Sequence, residues 1–179
     1  THHEETMMNG RVKMSMRRRA AVVAAAALVT SGIATAVPAS ASAGGYGCSG
    51  SFVGSWRVPS KDMLTGKKYY VTDVKLYYNA KTGWNCAVFV KRKGSPRYGR
   101  PTPMMISMYN QRWTEDRMKN NYDADSGDFK HYAGPVKVYG RNMCVSISVL
   151  YSDGEVTRFN KKDKVHFNTR HHLSGLACR

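Results

Sequence analysis

Apolar residues occupy every second position in several short segments of the chain. In the clearest of them, Val145, Ile147 and Val149 alternate with Ser146 and Ser148. This period of two places the apolar side chains on one face and is typical of a β-strand that is buried on one side. The segments that we predict as strands are 70–78, 84–90, 103–109, 136–139, 143–151 and 155–159, with a last short one around Val165 and Phe167.

The connections between these segments are also typical of antiparallel sheets. Residues 79–83 are a turn cluster between the first two strands, which predicts a hairpin. Asp153-Gly154 favours a tight turn that would pair the strands on either side of it. No segment after residue 43 carries a convincing helical pattern, and 113–120 is expected to make a few helical turns at most. We therefore expect an all-β fold, a small disulfide-stapled antiparallel β-sandwich or barrel.

The first 43 residues have the order of a secretory signal peptide. Three arginines at 17–19 precede an apolar run at 20–28, and Ala41-Ser42-Ala43 forms an A-x-A cleavage site. Polar residues and glycine interrupt the rest of the run, which argues against a membrane anchor of about 20 apolar residues. We predict an upstream, non-native leader at 1–13, a signal peptide at 14–43 and a single secreted β domain at 44–179, without a transmembrane anchor.

The chain is strongly basic, with 28 Lys and Arg against 12 Asp and Glu and a formal net charge of +16. The part after residue 43 retains 23 Lys and Arg against 10 Asp and Glu, so the positive charge does not come from the signal segment. A hydrophobic content of 42% excludes a wholly disordered chain. The length of 179 residues fits one domain or at most two.

Four cysteines lie after the predicted signal peptide, at Cys48, Cys86, Cys144 and Cys178. Export makes disulfides their expected state, and their wide spacing lacks the close pairs of a zinc site. The sequence allows three pairings. We favour Cys48–Cys86 and Cys144–Cys178, because these bonds tie each terminus to the nearer strand.

Two segments carry a resemblance to a known family. Residues 76–88 read Leu-Tyr-Tyr-Asn-Ala-Lys-Thr-Gly-Trp-Asn-Cys-Ala-Val, and residues 125–138 end in Tyr-Ala-Gly-Pro-Val-Lys-Val. With the order of the four cysteines, they resemble the family of spore-associated protein A, small secreted proteins of filamentous spore-forming bacteria. The resemblance implies export and association with the spore or aerial-cell surface, and it carries over no catalytic residue. The chain departs from the family in its basic loop at 91–100, its insert at 101–121 and its positive charge.

The basic loop holds five cations, Lys91, Arg92, Lys93, Arg97 and Arg100. Because it contains Gly and Pro, we expect it to leave the sheet with all five side chains solvated, as a site for cell-wall or spore-surface polyanions. Nucleic acid is an unlikely partner, since an exported protein is separated from the nucleic acid inside the cell and no recognised binding motif is present. Replacing the first three cations with Ser is expected to weaken binding without changing the melting temperature. The alternative is a solubilising loop that has no partner.

An acidic pattern, Asp123-x-Asp125-x-Gly127-Asp128, resembles a calcium-binding loop. The twelfth position of such a loop requires Glu, and here it is Gly134. We therefore expect a polar turn in front of the next strand.

No metal, cofactor or catalytic residue is predicted. The spacing of His166, His171 and His172 resembles no standard metal site. A hydrolase that acts through a carboxylate pair, such as Asp153 with Glu155, stays an alternative.

Aromatic residues are numerous, with 11 Tyr and 3 Trp. Trp84 and Trp113 are candidates for stacking on sugar rings, although tyrosine and tryptophan also pack well within ordinary strands.

The function that these patterns favour is that of a secreted, non-enzymatic protein of the cell envelope or spore surface that binds anionic polymers. The alternative is a secreted cationic effector, either an antimicrobial protein or a protease inhibitor that exposes Ser95-Pro96-Arg97-Tyr98.

Overall fold

The computed structural model describes residues 44–114, 120–153, 157–159 and 163–178, without the side chains of 157–159 and 163. The predicted leader and signal peptide lie outside these residues. Within them, the chain forms a short 3-10 helix at Gly45–Gly47 and ten strands. The strands are β1 (Ser51–Lys61), β2 (Lys68–Asn79), β3 (Trp84–Lys91), β4 (Pro103–Asn110), β5 (Tyr122–Asp128), β6 (Tyr132–Tyr139), β7 (Val145–Ser152), β8 (Thr157–Phe159), β9 (Asp163–Val165) and β10 (Asn168–Leu176).

Eight of these strands form two four-stranded sheets in which every pair of neighbours is antiparallel. The first sheet has the order β1-β2-β3-β6, and the second has the order β10-β7-β4-β5. The remaining strands, β8 and β9, pair with each other. The prediction of an all-β sandwich is therefore confirmed. Among the described residues, none forms a helix with the length and apolar character that crossing a bilayer requires.

The main core lies between the two sheets and takes alternate residues from each. In β7, Val145, Ile147, Val149 and Tyr151 are buried, whereas the residues between them are half-buried. Buried side chains of β2, β3 and β6 join the same cluster from the opposite sheet. The period of two in the sequence is thus the period with which the strands present side chains to the core.

A smaller cluster covers the other face of the first sheet. Cys48 and Cys86 are buried there with Tyr77, Val88 and Val90. The disulfide Cys48–Cys86 fastens the N-terminal segment over this face.

The second disulfide, Cys144–Cys178, joins the residue before β7 to the chain beyond β10. Both bonds have the pairing that the sequence favoured, and the structure thus ties each end of the described chain to a neighbouring strand.

Three strands were not predicted, namely β1, β5 and β10. The sequences of β5 and β10 lack a sustained run of apolar residues at every second position. In β1, Phe52, Trp56 and Val58 follow such a pattern, but Gly54 and Pro59 interrupt it. The predicted hairpin after Asp153 is wrong, because β7 pairs with β4 and β10, whereas β8 pairs with β9. Residues 111–114 form a turn, and most of the segment expected to be weakly helical, 115–119, lies outside the described residues.

The acidic segment forms the edge strand β5 and not a turn before a strand. The carboxylate of Asp125 accepts the N–H of Gly134 at 2.7 Å, and that of Asp123 accepts the N–H of Lys137 at 2.7 Å. These acceptors cover the outer N–H groups of the other sheet's edge strand, β6, which would otherwise lack strand partners. Gly134 has a φ of 97°, and a Cβ there would lie 2.9 Å from the carbonyl oxygen of Ala87, so glycine is required.

Candidate functional site

Lys91, the last residue of β3, is buried, with 1% of its surface exposed. Its Nζ donates to the carbonyl oxygens of Arg97 at 3.2 Å, Arg100 at 2.7 Å and Phe129 at 2.6 Å. The expectation that all five cations are solvated is therefore wrong for Lys91. The loop after β3 turns these carbonyls inward, and buried carbonyls require a donor, which the end of the strand supplies.

The surroundings of this buried ammonium disfavour its charged form. Burial, followed by the charge of Arg97, lowers the pKa of Lys91 from 10.5 to about 8, and Asp128 acts in the opposite direction. Since the side chain holds the loop together, it is not free to bind an external anion. Each of the three carbonyl oxygens also accepts a second hydrogen bond, from the N–H of Arg100, the hydroxyl of Thr102 or the N–H of Thr102. Replacing Lys91 with Ser would still remove their charged donor, so we expect the triple Ser variant to lose stability, contrary to the prediction from the sequence.

Arg97 is half-buried and also has a role inside the fold. Its Nη2 donates to the carbonyl oxygen of Asp153 at 2.8 Å, which joins the basic loop to the end of β7. An inhibitor loop would have to present this side chain to a protease, and the hydrogen bond to Asp153 holds it against the protein. The described geometry therefore gives no support to the inhibitor alternative.

Asp153 is buried and serves the local fold. Its carboxylate accepts the N–H of Phe167 at 2.9 Å and lies 3.7 Å from the imidazole of His166. Burial raises the pKa of Asp153, while these neighbours and Arg97 oppose that rise. The other member of the suggested carboxylate pair, Glu155, lies outside the described residues.

The exposed part of the loop borders a cleft of about 360 Å³, which we call the basic cleft. Its walls carry three cations that are partly or fully exposed and three aromatic rings, in addition to the buried Lys91. These residues are Lys75, Arg92, Lys93, Tyr46, Tyr98 and His131. Among the described residues that line the cleft, Asp73 is the only acidic one.

Arg92 is oriented by the first sheet. Its Nε lies 3.7 Å from the Oδ2 of Asp73, and its Nη1 donates to the carbonyl oxygen of Tyr70 at 3.5 Å. The other oxygen of Asp73, Oδ1, is buried and has no hydrogen-bond partner among the described residues. Asp73 thus orients the guanidinium of Arg92 at the wall of the cleft, while its buried Oδ1 is out of reach of a ligand.

The aromatic residues of the cleft are positioned by contacts with their neighbours. The Nζ of Lys75 donates to the hydroxyl of Tyr46 at 3.3 Å and lies 5.0 Å from the centre of its ring. The Tyr98 ring meets the His131 ring edge-on, with 4.9 Å between centroids. Ordered rings beside cations can contact the flat faces of a ligand while the cations bind its charged groups.

The structure divides the five predicted cations into separate groups. Arg92 and Lys93 line the basic cleft, and Arg100 is exposed and gives its carbonyl to Lys91. The sequence did not reveal Tyr46, Lys75 or His131, because they lie in other segments that the first sheet brings together. The available signal was Lys75 at a polar position of the predicted strand 70–78.

The two tryptophans proposed for sugar stacking are half-buried against other rings. Trp84 lies edge-on to Tyr139 at 6.4 Å, and Trp113 is tilted against Tyr109 at 5.0 Å. They lie apart from the basic cleft and do not line it.

The three histidines do not converge. His166 faces Asp153, whereas His172 packs flat on Tyr109 and its Nδ1 lies 2.9 Å from the hydroxyl oxygen of Ser148. In the described ranges, no group of three His, Cys, Asp or Glu side chains is arranged to hold a metal ion.

Comparison with known proteins bears out the resemblance that the sequence suggested. The chain is similar to spore-associated protein A of Streptomyces coelicolor. The two are 38% identical over 72 residues, which are 40% of this chain and 40% of that protein. The chain thus spans about two fifths of the length of this curated relative. No family model matches the chain, and no solved structure matches it.

Proposed function

We propose that the protein is exported, is not an enzyme, and associates with the spore surface or cell envelope by binding anionic polymers in the basic cleft. The observation that carries this proposal is the convergence of Lys75, Arg92 and Lys93 on one open cleft. Among the described residues that line the cleft, Asp73 alone is acidic, and one of its carboxylate oxygens faces Arg92.

Electrostatics favour a charged polymer over a neutral ligand. The excess of positive charge over the chain attracts polyanions at long range, and the cleft concentrates cations at the point of contact. The remaining positive charge is spread over the surface, where it adds to the attraction but specifies no ligand geometry.

Export and association with the spore are supported by observations other than the charge of the cleft. The similar region of spore-associated protein A points to the spore, and two disulfides suit an oxidising compartment outside the cytoplasm. The signal-peptide pattern of residues 14–43 is consistent with export.

Retention on purified cell walls and on intact spores tests the proposal. The wild-type protein is expected to bind at low salt and to be released as salt rises, because exposed charges are screened within about 8–10 Å at physiological ionic strength. The variant Lys75→Gln/Lys93→Gln should be retained several-fold less.

The matched control is Lys81→Gln/Arg170→Gln, which removes two exposed positive charges elsewhere on the molecule. Equal losses of retention for both double variants would show that net charge alone causes retention, and would refute binding in the basic cleft. Retention that does not change with salt concentration would refute binding to a polyanion.

A further inference from the structure

The turn between β1 and β2 carries two adjacent apolar side chains that are exposed to solvent. Met63 is 56% exposed and Leu64 is 53% exposed, and we call these two residues the apolar tip. The other large apolar side chains that the described part of the chain exposes are aromatic and lie elsewhere in the chain. Single apolar residues are common on protein surfaces, whereas two large aliphatic ones side by side on one turn indicate a surface that meets a partner.

Asp62 holds this turn in one conformation. Its side chain is buried, and its carboxylate accepts the N–H groups of Leu64 and Thr65, each at 3.2 Å, and that of His166 at 2.9 Å. The hydroxyl of Thr65 donates to the same carboxylate. The N–H of Met63 donates to the carbonyl oxygen of His166 at 2.8 Å, which ties the turn to the chain before β10. A fixed backbone thus presents the apolar tip to solvent, and these bonds would have to break before the tip could fold back onto the core.

The exposed charges around the apolar tip are all positive. Lys61, Lys67 and Lys68 flank it and are exposed, whereas the carboxylate of Asp62 is buried. None of the three lysines forms an ion pair with a carboxylate of the described residues. Strand register sets Lys61 directly opposite Lys68. Like charges at opposite positions of a strand pair repel each other, so a negatively charged surface beside the turn would relieve a repulsion that the fold alone leaves in place.

Apolar side chains beside unpaired lysines match the surface of an anionic lipid bilayer. Proteins attach to such a surface when apolar side chains enter the boundary between headgroups and acyl chains while cations approach the negative headgroups. A protein partner fits less well, because stable protein interfaces bury about 800 Å² on each side and two side chains of one turn supply a small part of that area. The combination of an apolar tip and flanking cations therefore favours a membrane.

We propose that the turn between β1 and β2 inserts Met63 and Leu64 into the interface of an anionic phospholipid bilayer, with its three lysines at the level of the headgroups. The residues of this turn do not line the basic cleft, so the contact is a second one, beyond the proposed function. Since only one turn enters the bilayer, the attachment should be reversible.

Flotation with vesicles tests the proposal, using phosphatidylcholine alone or mixed with an equal part of phosphatidylglycerol. The protein should bind the mixed vesicles at least about tenfold more tightly, because each lysine near an anionic surface contributes about fivefold. Met63→Ser/Leu64→Ser should weaken binding to the mixed vesicles about tenfold or more, since two apolar side chains no longer leave water. The control Phe52→Ser removes a side chain that is 57% exposed near the other end of β1, and should leave binding unchanged. Equal losses for the tip variant and this control would overturn the proposal.

A second pair of variants tests the position of the charges. Lys61→Gln/Lys68→Gln should weaken binding to the mixed vesicles about five- to twenty-fivefold. Lys81→Gln/Arg170→Gln removes the same charge from exposed positions elsewhere and should weaken binding less than about twofold. Equal losses for these two double variants would show that net charge alone attracts the protein, and would overturn the assignment of the turn. Melting temperatures of all variants identify any loss of folding.

Insertion itself is measured with Leu64→Trp, which places a fluorescent side chain in the apolar tip. On mixed vesicles whose phosphatidylcholine carries bromine on its acyl chains, this variant should lose more fluorescence than the wild-type protein, whose tryptophans lie outside the turn. Binding without additional quenching would show that the tip stays above the acyl chains and would overturn the proposal. Failure of the wild-type protein to bind either kind of vesicle would also overturn it, and would assign the apolar tip to a protein partner.

Discussion

Lys91 and Lys93 are two residues apart in the same basic segment, yet Lys91 is buried and Lys93 is exposed. Lys91 ends β3, and its ammonium reaches three inward-facing carbonyl oxygens. Lys93 lies beyond the strand and borders the basic cleft. The comparison teaches that the role of each lysine depends on whether backbone carbonyls converge on it, and not on the local density of charge.

The arginines of the loop show the same division. Arg97 is directed inward to the carbonyl of Asp153, whereas Arg92 lies against Asp73 at the wall of the basic cleft. The loop therefore has an inner set, Lys91 and Arg97, that maintains its shape, and an outer set that is available to a ligand.

The largest difference is expected between Lys91→Ala and Lys93→Ala. The first removes the charged donor that three buried carbonyl oxygens share and should lower the free energy of unfolding by about 3–5 kcal/mol. The second should change it by less than about 0.5 kcal/mol. Urea unfolding monitored by tryptophan fluorescence measures both, and similar values for the two variants would contradict the division of the loop.

A smaller effect is expected for Arg97→Gln. Loss of a charged donor to the carbonyl of Asp153 should reduce the free energy of unfolding by about 1.5–3 kcal/mol. Arg100→Gln, an exposed arginine of the same loop, serves as the control and should have little effect on unfolding. If the control is equally destabilising, the inner set is not limited to Lys91 and Arg97.

The outer set should affect binding rather than folding. Lys93→Gln is expected to weaken low-salt binding to cell walls about two- to fivefold, as the loss of one exposed charge contact implies. Arg100→Gln removes the same charge from the same loop but not from the wall of the basic cleft. Equal weakening by both variants would show that the position of the charge within the loop is unimportant.

The finest distinction is in the pH dependence of stability. In the folded protein the pKa of Lys91 is about 8, compared with 10.5 for the free side chain, so the unfolded chain binds more protons between these values. The free energy of unfolding contributed by this group should therefore rise with pH from about 8 towards 10.5. The difference between wild type and Lys91→Met, measured by urea unfolding across this range, isolates the contribution. A difference that falls with pH would show that the pKa of the buried lysine is raised.

Much of the sheet structure could be predicted from neighbouring residues alone. The alternation of Val145, Ile147 and Val149 with serines identifies β7, because side chains in a strand alternate between its two faces. Such a pattern needs no knowledge of the partner strands. The pattern fails for β5, whose acidic residues are typical of a turn. They form a strand because N–H groups at the edge of the other sheet donate to their carboxylates.

The sequence by itself determined the all-β fold, several of its strands and its positive charge, and it favoured one of three possible cysteine pairings, which the structure contains. Only the tertiary structure decided which cations line the basic cleft. Strand register places Asp73 opposite Val90, and Val90 opposite Tyr132, while the N-terminal segment brings Tyr46 to the same cleft. Alternation arises from residues one and two positions apart, so it can be read locally. A cleft, and the carbonyl cage around Lys91, arise from segments that meet only when the sheets have formed.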